Sequence, residues 1–155
     1  MALLTMAGAW AQSAPATVAQ LMKGTLYPAS NVVFAAQNVD PAAVPRAKDP
    51  NMATDLLTSS YGKWEAVENS ALAMAEVANL LTVPGRKCSN GAAVPLGNAD
   101  WKKFVQELRD AGMAAYAAAQ TKNQDKMIDV SETVTTACQN CHARYRERRL
   151  GDRCK

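Results

Sequence analysis

The chain has 155 residues, of which 48% are apolar, 6% are aromatic and 20% are charged. This length suffices for one domain with one hydrophobic core, and the abundance of alanine with few aromatic residues favours helices over sheet. The net charge of +3 is too small to indicate a protein that binds nucleic acid. We therefore expect a single all-α domain, which we place at residues 12–155.

The first eleven residues form a short, uncharged, largely apolar segment that ends in Ala9-Trp10-Ala11. Small residues on both sides of a larger one are typical of a signal-peptidase site, so we predict that residues 1–11 are the remnant of a signal peptide cleaved before Gln12. A basic start is missing, and a helical or disordered N-terminal tail is the alternative. Neither this segment nor any other reaches the ~20 apolar residues of a membrane span.

Two helices are predicted in the first half of the chain. Apolar residues at helical spacing predict helix one over residues 16–37, with Pro28 inside it. Because proline lacks an N–H group, we expect Pro28 to kink this helix or to remove one hydrogen bond. A proline-containing loop at residues 38–50 precedes helix two, which should begin within residues 54–60 and end near Leu81.

Two further helices are predicted after a second loop at residues 83–98. Asn98 and Asn123 are candidate N-caps of helices three and four, and each is followed by an aspartate in the first turn. Helix four would contain about 26 residues and end near Gly151. Four long amphipathic helices without a strand pattern predict a four-helix bundle.

A Cys-x-x-Cys-His motif lies within helix four, at Cys138, Cys141 and His142. This pentapeptide is the covalent attachment motif for haem c. The two thiols can add to the haem vinyl groups, and the imidazole beside the ring can ligate the iron. On a helix the three residues share one face. His142 is the only histidine in the chain, so a haem iron would take its nitrogen ligand from this residue.

The cysteines allow two other interpretations. Cys138 and Cys141 could form a redox dithiol, although the βαβ pattern usual for such a site is missing. A zinc ion could instead be held by these two thiols together with Cys88 and Cys154, but this arrangement would leave the histidine unused. If haem takes the first pair, an oxidising compartment favours a disulfide between Cys88 and Cys154, the alternative being two free thiols.

The segment CQNCHARYR at residues 138–146 resembles the attachment motif of the class II c-type cytochromes, the cytochrome c′ group and its low-spin relatives. The family consists of four-helix bundles that carry this motif on the C-terminal helix. The segment Leu-Met-Lys at residues 21–23 resembles the part of the family's first helix that covers the open haem face. The resemblance extends over residues 16–150.

The resemblance implies how the iron is held. His142 would be the proximal ligand and Met22 the distal ligand, giving a six-coordinate, low-spin iron that transfers electrons. If Leu21 faces the iron instead, the site would be open and bind NO or CO. The alternative for Met22 is that it only fills the core. Arg146 would lie beside the haem and hold a propionate or tune the charge near the iron.

Basic residues are concentrated near the C-terminus, where the last dozen residues contain Arg144, Arg146, Arg148, Arg149, Arg153 and Lys155. Apart from Arg146, we interpret this run as a solvated helix end, where positive charge also suits the helix dipole. A docking surface for an acidic partner, or a contact with a haem propionate, is the alternative. Among the aromatic residues, Trp64, Trp101 and Phe104 are predicted to line the core or the haem pocket, and Tyr145 to pack within the bundle.

These features together predict a periplasmic monohaem c-type cytochrome that transfers one electron at a time with redox partner proteins. Attachment of haem c takes place outside the cytoplasm, which agrees with the predicted signal peptide. No catalytic acid–base pair is apparent, so we do not predict an enzyme. The alternatives are a five-coordinate, gas-binding cytochrome c′ and a zinc-stabilised helical protein without haem. A homodimer or a place in a larger redox complex stays open, because the long loops, Pro28 and the extra cysteines depart from the family pattern.

Overall fold

The computed structural model describes residues 14–147 and 149–155, and within them the chain is all-α, with four long helices and no β-strand. The all-α prediction is thereby confirmed, whereas the predicted signal peptide at residues 1–11 lies outside the described part of the chain. Helix α1 consists of three consecutive segments, and the helices are bounded as follows: α1 at Val18–Leu21, Met22–Leu26 and Tyr27–Ala35, α2 at Lys63–Leu80, α3 at Ala99–Gln120, and α4 at Gln124–Tyr145.

The middle segment of α1 is a π-helix, Met22–Leu26, directly before Pro28. Within it the Tyr27 N–H donates to the Met22 carbonyl, five residues back. Because Pro28 has no N–H to donate, the usual four-residue hydrogen bond is missing at this point, and the chain accommodates the proline with a wider turn. The predicted loss of a hydrogen bond therefore takes the form of a π turn that begins at Met22.

The predicted start of helix two is wrong. α2 begins at Lys63 rather than within residues 54–60, because the preceding chain forms a 3₁₀ turn at Leu56–Thr58. Asp55 stabilises this turn by accepting a hydrogen bond of 3.0 Å from the Leu57 N–H. Such local contacts between side chain and backbone compete with helix formation.

The two predicted asparagine caps behave differently. Asn123 caps α4 and accepts a hydrogen bond of 3.2 Å from the Lys126 N–H. Asn98 occupies the N-cap position of α3 without making a capping bond, and its amide lies 3.4 Å from the Tyr145 hydroxyl instead. α4 has 22 residues and ends at Tyr145, so it is shorter than predicted.

The core lies between α2, α3 and α4. α3 packs against both α2 and α4, and α1 packs against α2. A Cβ atom added at Gly112 of α3 would lie 2.7 Å from the Ala75 nitrogen of α2, so only glycine permits this close approach of the two helices. The largest fully buried side chains are Trp101, Met74, Met127, Val33, Val67 and Val134, together with Pro41 and Cys88.

The loop at residues 83–98, which we call the junction loop, contacts both the start of α1 and the C-terminal residues. The buried Arg86 side chain donates to the Leu80 carbonyl at 2.6 Å and to the Ala16 carbonyl, just before α1. Cys88 forms a disulfide with Cys154, with a Cα–Cα distance of 6.4 Å. The favoured pairing of these two cysteines is confirmed.

Across the described ranges, no helix combines the length and the apolar character needed to cross a lipid bilayer.

Candidate functional site

A cavity of about 440 Å³ lies between α1, α3, α4, the junction loop and the C-terminal tail, residues 149–155. Its size falls within the roughly 300–1,000 Å³ of typical ligand pockets. All five candidate site residues line it, namely Cys138, Cys141 and His142 of α4, Met22 of α1, and Arg146 just beyond α4. The structure therefore brings residues from opposite ends of the chain to one space.

The thiols of Cys138 and Cys141 are free and half-buried on the wall that α4 contributes. Burial raises the pKa of Cys138 above its ordinary value. Burial and the nearby negative charges raise the pKa of Cys141 to about 11. A dithiol that exchanges disulfides needs at least one thiol with a lowered pKa. These two cysteines have the opposite environment, which argues against the redox-dithiol interpretation.

His142 follows directly on the same wall and is half-buried. Its Nδ1 lies 3.2 Å from the Nη1 of Arg146, one turn along the chain. Burial and the Arg146 charge lower the pKa of His142, against the smaller opposing effect of Glu147. The neutral imidazole is the form that ligates a metal, so the surroundings of His142 favour ligation.

Another wall is formed by α1, where Met22 lines the cavity and Leu21 does not. Met22 is half-buried at the start of the π turn. The other methionines that the structure describes lie elsewhere, since Met74 and Met127 are fully buried in the core, and Met52 and Met113 are 78% and 46% exposed. Of these side chains, Met22 alone places a thioether on the same cavity as the imidazole.

Aromatic side chains of α3 and α4 form a further part of the cavity lining. The rings of Trp101 and Tyr145 pack edge to face with centroids 5.1 Å apart, and Phe104 packs on Tyr145 at 6.2 Å. All three line the cavity, as predicted for Trp101 and Phe104, whereas Trp64 is buried in the core without lining it. The Tyr145 hydroxyl donates to Asp100 at 2.5 Å, which joins the end of α4 to the start of α3.

The C-terminal tail is a further wall that sequence reasoning assigned to solvent. Leu150, Arg153 and Cys154 line the cavity, and so does Cys88 of the junction loop. In the sequence, the only feature that indicated a return of this segment to the bundle was Cys154, through its predicted disulfide with Cys88. The disulfide also removes two of the four thiols on which the zinc interpretation depended.

Comparison of the chain with protein-family models, with characterised proteins and with solved structures finds no match.

Proposed function

We propose that this protein is a periplasmic monohaem c-type cytochrome that transfers one electron at a time. The observation that supports this most directly is an apolar cavity lined by the two free thiols of Cys138 and Cys141, the only histidine of the chain and a methionine. Thiols, imidazole and thioether on one cavity are a donor set that can attach a haem covalently and make its iron six-coordinate. The residues present therefore fit haem c, one group per chain.

The haem supplies the one-electron chemistry, and the chain supplies attachment, ligation and burial. Cys138 and Cys141 would hold the group through thioether bonds, because both thiols lie on the turn of α4 that borders the cavity. His142 would be the proximal ligand and Met22 the distal ligand. The presence of Met22 on the cavity, where Leu21 is not, favours a ligated site over an open one.

A gas-binding function is the second candidate, and one observation favours it. Met22 is only half-buried, in a π turn that also contains Gly24 and the exposed Lys23. A thioether on a loosely packed wall is easier to displace than one fixed in a core, so CO or NO could take its place.

The compartment and the partners belong to the same proposal. A disulfide between Cys88 and Cys154 is typical of proteins in an oxidising compartment, which supports export to the periplasm. We propose that redox partner proteins exchange electrons with the haem, either with a single chain or within a homodimer or larger redox complex. On this proposal the protein is an electron carrier and not an enzyme.

Optical spectra of the purified protein, produced together with haem-attachment machinery, test the proposal. We expect a low-spin spectrum in both oxidation states that CO does not change. A high-spin spectrum that shifts on addition of CO would favour the gas-binding function. Absence of a Soret band and of a pyridine haemochrome would contradict both functions.

The Met22→Leu variant then tests the distal ligand. If Met22 ligates the iron, the variant becomes high-spin and binds CO, because leucine offers no lone pair. Met113→Leu is the matched control, since Met113 is 46% exposed on α3 and does not line the cavity. An unchanged spectrum in Met22→Leu would show that this sulfur is not the ligand.

A further inference from the structure

We propose that Arg153, together with the indole N–H of Trp101, binds a carboxylate of the group that occupies the cavity. This inference rests on the proposed function, because haem c carries two propionate carboxylates. It assigns a binding role to the C-terminal tail, which the sequence motif does not include.

The charges around the cavity favour an anionic occupant. Among the described residues that line it, Lys23, Arg146 and Arg153 are basic and none is an aspartate or glutamate. Its other titratable lining groups are Tyr27 on α1 and His142 and Tyr145 on α4, besides the cysteines. A cavity with basic groups and no acid attracts a ligand that brings its own negative charge.

Arg153 differs from the other two basic residues. Lys23 and Arg146 are exposed. The Arg146 Nε lies 3.9 Å from the Glu147 Oε1, and its Nη1 lies 3.2 Å from the His142 Nδ1. Arg153 is half-buried and forms no ion pair within the described ranges. A partly buried guanidinium without a carboxylate is unfavourable, so this position is suited to an acid supplied by a ligand.

Two residues that line the cavity each carry a buried donor without an acceptor. Trp101 Nε1 and Arg153 Nε are both buried and find no hydrogen-bond partner in the described part of the protein, and both residues line the cavity. Trp101 as a whole is only 2% exposed. A buried donor without an acceptor is unfavourable, so such groups are rare unless a water or a ligand supplies the acceptor. A carboxylate has enough lone pairs to accept from both donors.

The position of Arg153 is held by contacts that a solvated tail would lack. The disulfide to Cys88 fixes its neighbour Cys154. The Asn90 side chain of the junction loop donates to the Leu150 and Arg153 carbonyls, each at 3.1 Å, and lies 3.4 Å from the Gly151 carbonyl. These bonds use the tail's backbone and leave the Arg153 side chain available for a ligand.

The test measures the midpoint potential of the holoprotein as a function of pH. An arginine at a propionate keeps it ionised, and an opposite charge at close range lowers a carboxyl pKa by about 1–3 units. We expect Arg153→Gln to move the redox-linked ionisation to higher pH by about one unit or more, and Arg153→Lys to retain most of the wild-type profile. Trp101→Phe, which removes only the N–H donor, would move it in the same direction by less.

Arg149→Gln is the matched control, because Arg149 is exposed in the same tail, carries the same charge and does not line the cavity. Identical profiles for Arg153→Gln and Arg149→Gln would overturn the inference while leaving the cytochrome function intact. A profile that changes with the concentration of inorganic phosphate would assign the two donors to a free anion and would also overturn it. A protein without haem would overturn the proposed function and this inference together.

Discussion

The two walls that α4 and α1 contribute to the cavity differ in how deeply their side chains are buried. α4, which carries both thiols and the histidine, has Met127 and Val134 at 0% exposure and Tyr145 at 4%. The first two segments of α1, which carry Met22, contribute one buried residue, Leu26. The wall formed by α4 is therefore part of the core, while the wall formed by the first two segments of α1 lies at its edge.

This difference has a physical consequence for the proposed centre. A side chain in a close-packed core keeps one conformation. A half-buried side chain at the edge of the core can adopt other conformations at a small cost in free energy. The start of α1 is held by a few polar contacts, among them the bond of 2.9 Å from the Val18 N–H to the Lys87 carbonyl. We expect the proximal side to set whether haem is held at all, and the distal side to set its coordination.

The largest effect is expected from removing the attachment thiols. In Cys138→Ala/Cys141→Ala, haem can no longer be held covalently, so none should remain on the chain after denaturation. Haem staining of a denaturing gel measures this. The control, Cys88→Ala/Cys154→Ala, removes the disulfide-bonded cysteines and should keep its covalent haem. Covalent haem in the first variant would contradict the assignment of these thiols.

The disulfide variant should show the next largest effect, on the free energy of unfolding. The bond joins residues 66 positions apart. Closing a loop of this length stabilises the folded state by about 4 kcal/mol in the chain-entropy model. Denaturant unfolding of Cys88→Ala/Cys154→Ala under oxidising conditions should report a loss of this order. Reductant should destabilise the wild type and not the variant. Equal stability of the two proteins would show that the tail is not held as described.

A matched pair of core substitutions measures the difference between the walls directly. Met127→Ala in α4 removes a fully buried side chain, for which we expect a loss of about 2–5 kcal/mol. Leu21→Ala in α1 removes a half-buried side chain that does not line the cavity, for which we expect about 1 kcal/mol. Denaturant unfolding of both variants measures the two losses in the free energy of unfolding. Similar losses would contradict the conclusion that the α1 wall contributes less to the core than the α4 wall.

The smallest expected effect concerns Asp100, which ties the start of α3 to the end of α4. The hydrogen bond from the Tyr145 hydroxyl is the main cause that lowers the pKa of Asp100 below its ordinary value of 3.8, with contributions from the Trp101 N–H and from Arg144. A lowered folded-state pKa gives stability that is fully present above pH 3.8 and is lost as pH falls through the folded value. The wild type should therefore lose melting temperature in this acid range more steeply than Asp100→Asn. If the melting temperatures of the two proteins fall in parallel as the pH is lowered, protonation of Asp100 is not linked to stability.

Local patterns in the sequence predicted much of this architecture. The apolar spacing that predicted four helices is a property of neighbouring residues, and so is the placement of Cys138, Cys141 and His142 on one helical turn. The start of α2 was predicted wrongly because a nearby side chain, Asp55, accepts a hydrogen bond from the backbone just before the helix. Pro28 was expected to disturb α1, but the form of the disturbance, a π turn, depends on how the flanking turns pack.

The amino-acid sequence alone was enough to predict an all-α chain and to place two thiols and its only histidine on one helix face, because those relations depend on residues at most four positions apart. The tertiary structure decided that Met22 and not Leu21 lines the cavity, that Cys88 pairs with Cys154, and that Arg153 returns from the tail to an apolar space. These relations join residues far apart in the chain. They follow from how the helices pack and from which polar groups that packing leaves buried, and helical periodicity contains no information on either.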